Sequence, residues 1–125
     1  MDILTNALWL ALCIFHEARG EPEAGQIAVA QVIMNRVEER GLSVEEIVKQ
    51  PRQFSWVQDK PPVRFSEYHV LAKCFRSAYK CLEARMNGDV LKGANHYYNP
   101  HKVDPRWADQ MSIVKEIGNH VFLRG

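Results

Sequence analysis

The sequence predicts a mainly α domain, of α+β type, with a small β-hairpin. Three observations carry this. Apolar residues recur at helical spacing over 3–18, 23–40 and 66–86. Glycine and proline interrupt the chain between those stretches. Only the tail, MSIVKEIGNHVFLRG, gathers β-branched residues around a two-residue turn candidate, Gly118-Asn119. At 125 residues and 14.4 kDa the chain has the size of one domain, and a single domain, 1–125, without a separate binding domain is expected.

Residues 3–18 are apolar on nearly every side: Leu4, Ala7, Leu8, Trp9, Ala11, Leu12, Phe15 and Ala18. Such a helix belongs at the centre of a core. Gly20 and Pro22 stop it. The second helix, 23–40, sets Ile27, Val29, Ala30, Val32, Ile33 and Val37 mostly on one face, with Gly41 as its terminator. Ser43 and Glu46 form a capping-box pattern, so a short helix runs to about Gln50. Residues 51–65 contain Pro51, Pro61 and Pro62 with Phe54, Trp56 and Phe65, and read as a loop or short hairpin with aromatic anchors. Ser66 is placed to cap a long helix that ends at Asn87-Gly88. Residues 93–107 read as irregular.

Composition excludes several classes. Apolar residues at 46% and charged residues at 25% indicate a folded chain. Lys+Arg 16 against Asp+Glu 15 leaves no basic excess of the kind a nucleic-acid binder shows. The run 7–15 is too short to span a bilayer, for which about 20 residues are needed. It also lacks the basic start and cleavage site of a signal peptide. Stable membrane insertion is therefore not expected. Three cysteines cannot form a full disulfide framework. Cys74 and Cys81 stand two helical turns apart, about 10 Å, so reduced thiols are expected.

Glu17 stands out on physical grounds. It falls in the last turn of the most apolar helix, where burial and the negative end of the helix dipole both disfavour a carboxylate. A carboxyl still protonated near neutral pH suits a general acid for a glycosidic oxygen. The alternative is a structural ion pair with Arg19 or Arg36. Glu21 and Glu23 are the nearby carboxylates, and spacing alone does not place either at a glycosidase separation. Glu21 is expected to cap the second helix or bind a backbone amide near its start.

No metal or cofactor is expected. His16-Glu17 begins like a zinc-protease motif, but Gly20 stands where the second histidine belongs. His96, His101 and Asp104 match no standard zinc spacing. Asn95, His96, Tyr97, Tyr98, Asn99 and Trp107, with Phe54 and Trp56, combine aromatic faces with amides. That combination suits sugar rings in an apolar cleft, and equally suits aromatics that pin a long loop. One of Tyr97 and Tyr98 is expected in the core.

The block HEARGEPEAGQIAVAQVIMNR (16–36) resembles the opening of the SleB-type cell-wall hydrolases, the spore-cortex-lytic family. Gln50-Pro51 with Phe54-Ser55, GANHYYNP (93–100), Pro105, Trp107 and IGNHVF (117–122) extend the resemblance over about residues 7–123. It implies a lysozyme-like, lytic-transglycosylase-like fold. It implies a substrate of peptidoglycan glycan strands, cut between N-acetylmuramic acid and N-acetylglucosamine, with Glu17 as the single catalytic carboxyl and a 1,6-anhydro product. Gln26, Phe54, Asn95, Tyr97, Tyr98 and Asn99 are the expected substrate-binding residues. Glu21, Asn35, Arg36, Trp107 and His120 are the expected supporting ones. The alternatives are a muramidase, a metal-dependent amidase or peptidase using His96, His101 and His120, and a non-catalytic glycan-binding module. A monomer is expected. With no export signal read in the chain, a stand-alone phage endolysin made in the host cytoplasm and released by a holin is also expected.

Overall fold

The computed structural model describes residues 3–50 and 63–125. Among them, the helices are α1 (Ile3–Ala18), α2 (Glu23–Arg40), α3 (Val44–Lys49) and α4 (Tyr68–Met86). The strands β1 (His96–Tyr98), β2 (Ser112–Ile117) and β3 (His120–Arg124) form one antiparallel sheet in the order β1-β3-β2. The mainly α architecture is as expected. The aromatic anchors Phe54 and Trp56 lie outside the described residues.

α1 packs against α2, α3 and α4. It buries Ala7, Leu10, Ala11, Cys13, Ile14, Phe15 and Ala18. Leu4 and Leu8 are exposed, so all-round burial holds only for its C-terminal half. Leu4 shares a stripe with Ala11 and Phe15, and its exposure comes from its place at the helix end. α2 follows the expected bounds, and Gly41 closes it at φ 65° with its amide bonded to Val37 O. α3 carries the capping box: Ser43 Oγ accepts from the Glu46 amide, and Glu46 Oε1 from the Ser43 amide, both at 3.1 Å.

α4 departs from expectation at its start. Phe65–Glu67 form a 3-10 turn, and Ser66 lies inside it rather than capping the helix. The buried stripe of α4 is Cys74, Ser77, Ala78 and Cys81. These small side chains allow α1 and α2 to approach closely. The three cysteines are free and buried.

Residues 93–107 are not wholly irregular, since β1 lies within them. Its three residues carry no alternation of their own. They become a strand by pairing with β3, in the register His96↔Leu123, Tyr97↔Phe122 and Tyr98↔Val121. The hairpin β2–β3 turns at Gly118-Asn119 as expected, and β2 bulges at Val114. Before β1 the chain makes a left-handed turn, with Leu91 and Lys92 at φ 51° and 50°. Such residues cost ~1–3 kcal/mol each and need support from their surroundings. α2 supplies it. Asn35 Nδ2 donates to Val90 O (2.9 Å) and Ala94 O (2.8 Å), and Gln31 Nε2 to Asp89 O (2.8 Å). Among the described residues no helix is long and apolar enough to cross a membrane.

Candidate active site

Glu17 lies one residue before the end of α1, half-buried. The last carbonyls of a helix lack intrahelical partners. Here Gln26 of α2 serves them: its Nε2 donates to Ala18 O (3.3 Å) and Arg19 O (3.2 Å). Ser77 Oγ of α4 in turn donates to Gln26 Oε1 at 2.7 Å. Three helices thus fix the turn that carries Glu17.

Tyr97 reaches Glu17 from β1, its hydroxyl donating to Glu17 Oε1 at 3.1 Å. Burial raises the Glu17 pKa, and the Tyr97 hydrogen bond lowers it by less, so the net shift is upward. Tyr97 itself is pushed well above the usual phenol range, first by burial and then by Cys13 and Glu17. It therefore stays a neutral donor. Neither alternative ion pair forms. Arg19 pairs with Glu67 and lies over the Phe15 ring at 4.7 Å, while Arg36 Nε donates to Asn95 O at 2.8 Å.

Strand alternation separates the two tyrosines. Tyr97 shares one face with Phe122 and His120, at ring-centroid distances of 5.9 and 5.2 Å. Tyr98 and His96 face the other way and pack on Trp107, at 5.8 and 5.2 Å. Tyr97 is thus the inner tyrosine.

Glu21 does not cap α2, whose N-cap is Pro22 without a side-chain bond. It binds a backbone amide, but that of the distant hairpin turn. Asn119 N donates to Oε1 at 2.8 Å and Asn119 Nδ2 to Oε2 at 2.9 Å. Burial alone would raise the Glu21 pKa, but the two Asn119 bonds with His120 and Lys102 outweigh it and lower the value. The turn fits closely on this carboxylate. A Cβ on Gly118, at φ +57°, would stand 2.5 Å from Glu21 Oε1.

These groups surround a cleft of about 750 Å³. Of the residues expected at the site, Glu17, Glu21, Tyr97, Tyr98, Asn99, Trp107 and His120 line it. Asn99 also shapes its wall, accepting the His101 amide on Oδ1 at 2.9 Å. Gln26, Asn35, Arg36 and Asn95 stand behind it. Asn95 is 5% exposed, with its amide given to Glu39 and to Gly125 O. Its position and that of Gln26 suit bracing rather than contact with a ligand. Phe54 lies outside the described residues. His16, Arg19, Lys102, Val103, Pro105 and Asn119 also line the cleft. Reading the sequence did not single them out as site residues, although most fall within the blocks that carry the resemblance.

The three histidines of the metal alternative do not gather. His96 packs on Trp107, the exposed His101 sits in the following turn, and His120 packs on Tyr97. Among the described residues no three His, Cys, Asp or Glu side chains are placed to share a metal ion.

A family profile described as Cell Wall Hydrolase matches residues 20–123. The spore cortex-lytic enzyme of Bacillus cereus is 31% identical over 118 residues, which cover 92% of this chain and 42% of that protein. This chain therefore spans less than half the length of that relative. The solved catalytic domain of the germination-specific lytic transglycosylase SleB from Bacillus anthracis superposes with a TM-score of 0.77 at 27% identity, covering 98% of this chain and 97% of that one. The catalytic domain of the Bacillus cereus SleB protein gives 0.74 at 29% identity, covering 96% and 91%. The fold is thus that of the SleB catalytic domains, lysozyme-like in class. The chain belongs to the cell wall hydrolase family.

Proposed function

We propose that this chain cuts peptidoglycan glycan strands between N-acetylmuramic acid and N-acetylglucosamine, with Glu17 serving first as acid and then as base. One observation carries the reading: a half-buried carboxyl with no ion pair among the described residues, its pKa raised by burial, opens on a 750 Å³ cleft. The family match begins at residue 20, so the case for Glu17 rests on this geometry. The likeness to lytic transglycosylase domains supports the reaction class.

Protonated Glu17 gives its proton to the glycosidic oxygen as the C1–O bond breaks. The bonding pair leaves with that oxygen, and C1 of the muramic residue becomes oxocarbenium-like. The substrate's own N-acetyl group is placed to stabilise that centre. The Glu17 carboxylate then takes the proton of the C6 hydroxyl as O6 bonds to C1. A 1,6-anhydro sugar results, and Glu17 is again protonated. No second carboxylate is required, which fits a Glu21 committed to Asn119.

Mass spectrometry of digested murein tests the chemistry. Anhydro-muramic ends, one water lighter than reducing ends, are expected. Reducing muramic ends would make water the nucleophile and the enzyme a muramidase. Release of free amino groups without new sugar ends would overturn the glycosidase reading.

A further inference from the structure

His120 packs edge-on against Tyr97 and is only 8% exposed, which suits a brace. Its two ring nitrogens, however, have different surroundings. Nδ1 is buried, has no hydrogen-bond partner, and lies 3.5 Å from Glu21 Oε1. Nε2 is not among the buried unpaired atoms and makes no hydrogen bond to a described residue. His120 itself lines the cleft.

The charge on Glu21 fixes the tautomer. Two bonds from Asn119 hold this carboxylate in place and favour its ionised form. An ionised carboxylate only accepts hydrogen bonds. A lone pair on Nδ1 would face that charge and be repelled, so in the neutral ring the proton sits on Nδ1. Nε2, the other ring nitrogen, then carries the lone pair, on a side chain that lines the same cleft as Glu17.

We propose that His120, oriented by Glu21, is a substrate-binding acceptor that takes a hydrogen bond from a hydroxyl or acetamido N–H of the bound glycan. The proposal rests on the glycan-cleaving reading and adds a specificity contact to it. Glu21 is the positioning residue: it acts through the imidazole. The two donor types belong to the same ligand and share the same chemistry.

The acceptor exists only while the imidazole is neutral. The groups facing it are Glu21 from the α1–α2 connection, Lys102 from the loop after β1, and Tyr97 from β1. Burial lowers the His120 pKa below its ordinary value, Glu21 opposes this, and Lys102 adds to it. Binding should therefore persist at neutral pH and fall as pH drops through the lowered His120 pKa.

The test separates binding from cleavage by using Glu17→Gln protein and purified murein glycan strands. In that background His120→Phe keeps an aromatic ring against Tyr97 but removes the acceptor. It should weaken glycan binding about five- to tenfold, the size of one lost hydrogen bond. It should also abolish the acid-side fall in binding. His120→Gln, which restores an amide oxygen, should recover part of the affinity with no acid-side fall. Thermal melts show that each variant is folded. If His120→Phe bound glycan as tightly as its parent with the same acid-side fall, His120 would be a brace only and the proposal would be overturned. Wild-type protein that released free amino groups from murein without new sugar ends would instead overturn the glycan-cleaving reading, so the two failures are distinguishable.

Discussion

Burial of the Glu17 carboxyl has opposite consequences for chemistry and stability. Its folded pKa is raised, so the folded chain holds this proton more tightly than the unfolded chain does. The stability linked to the proton is full in acid and is lost as pH rises through the folded pKa. Glu17→Gln should therefore melt at or above the wild-type temperature at neutral pH, with the gap closing in acid, as calorimetry across pH would show. Tyr97 makes a second prediction. Its hydroxyl is the donor that holds the Glu17 pKa down. Tyr97→Phe removes it, so the alkaline limb of kcat/KM should move to higher pH. A limb that stayed in place or moved down would contradict the assignment of that limb to Glu17.

Among the elements, some were legible in the sequence and others were not, for physical reasons. α2 and the Ser43 capping box could be read because periodicity and caps are local. The place of Glu17 in the last turn of α1 was readable for the same reason. β1 was not, because its strand character comes from pairing with β3 more than twenty residues away. Nor was the work of Gln26 and Asn35. Nothing local says that their amides serve the carbonyls of Ala18, Arg19, Val90 and Ala94. Asn35→Ala leaves two carbonyls of the left-handed turn without this donor. It should cost about 1–3 kcal/mol in denaturant melts. Gly118→Ala needs a side chain at positive φ and 2.5 Å from Glu21 Oε1. It should destabilise the hairpin dock and expose β3 amides to hydrogen exchange.

For the whole molecule, two seams among the described residues tie the hairpin and the loop before β1 to the helices. One is the seam of α2 with the loop 89–95, closed by Gln31, Asn35 and Arg36. The other is the Glu21–Asn119 latch, which holds the hairpin tip against the α1–α2 connection at the lining of the cleft. The Glu21 pKa is lowered, so this latch contributes stability above the unfolded carboxyl pKa and loses it as pH falls through the folded value. Glu21→Gln should blunt that acid-side loss. The two seams bring Tyr97 to Glu17 and His120 to the same cleft, where this one carboxyl is proposed to perform the cleavage. The most direct measurement is mass spectrometry of murein digested by wild-type protein and by Glu17→Gln protein shown to be folded. The expected result is anhydro-muramic ends from the wild type and a loss of about 100-fold or more with Glu17→Gln. Anhydro ends released by folded Glu17→Gln protein at the wild-type rate would contradict the account.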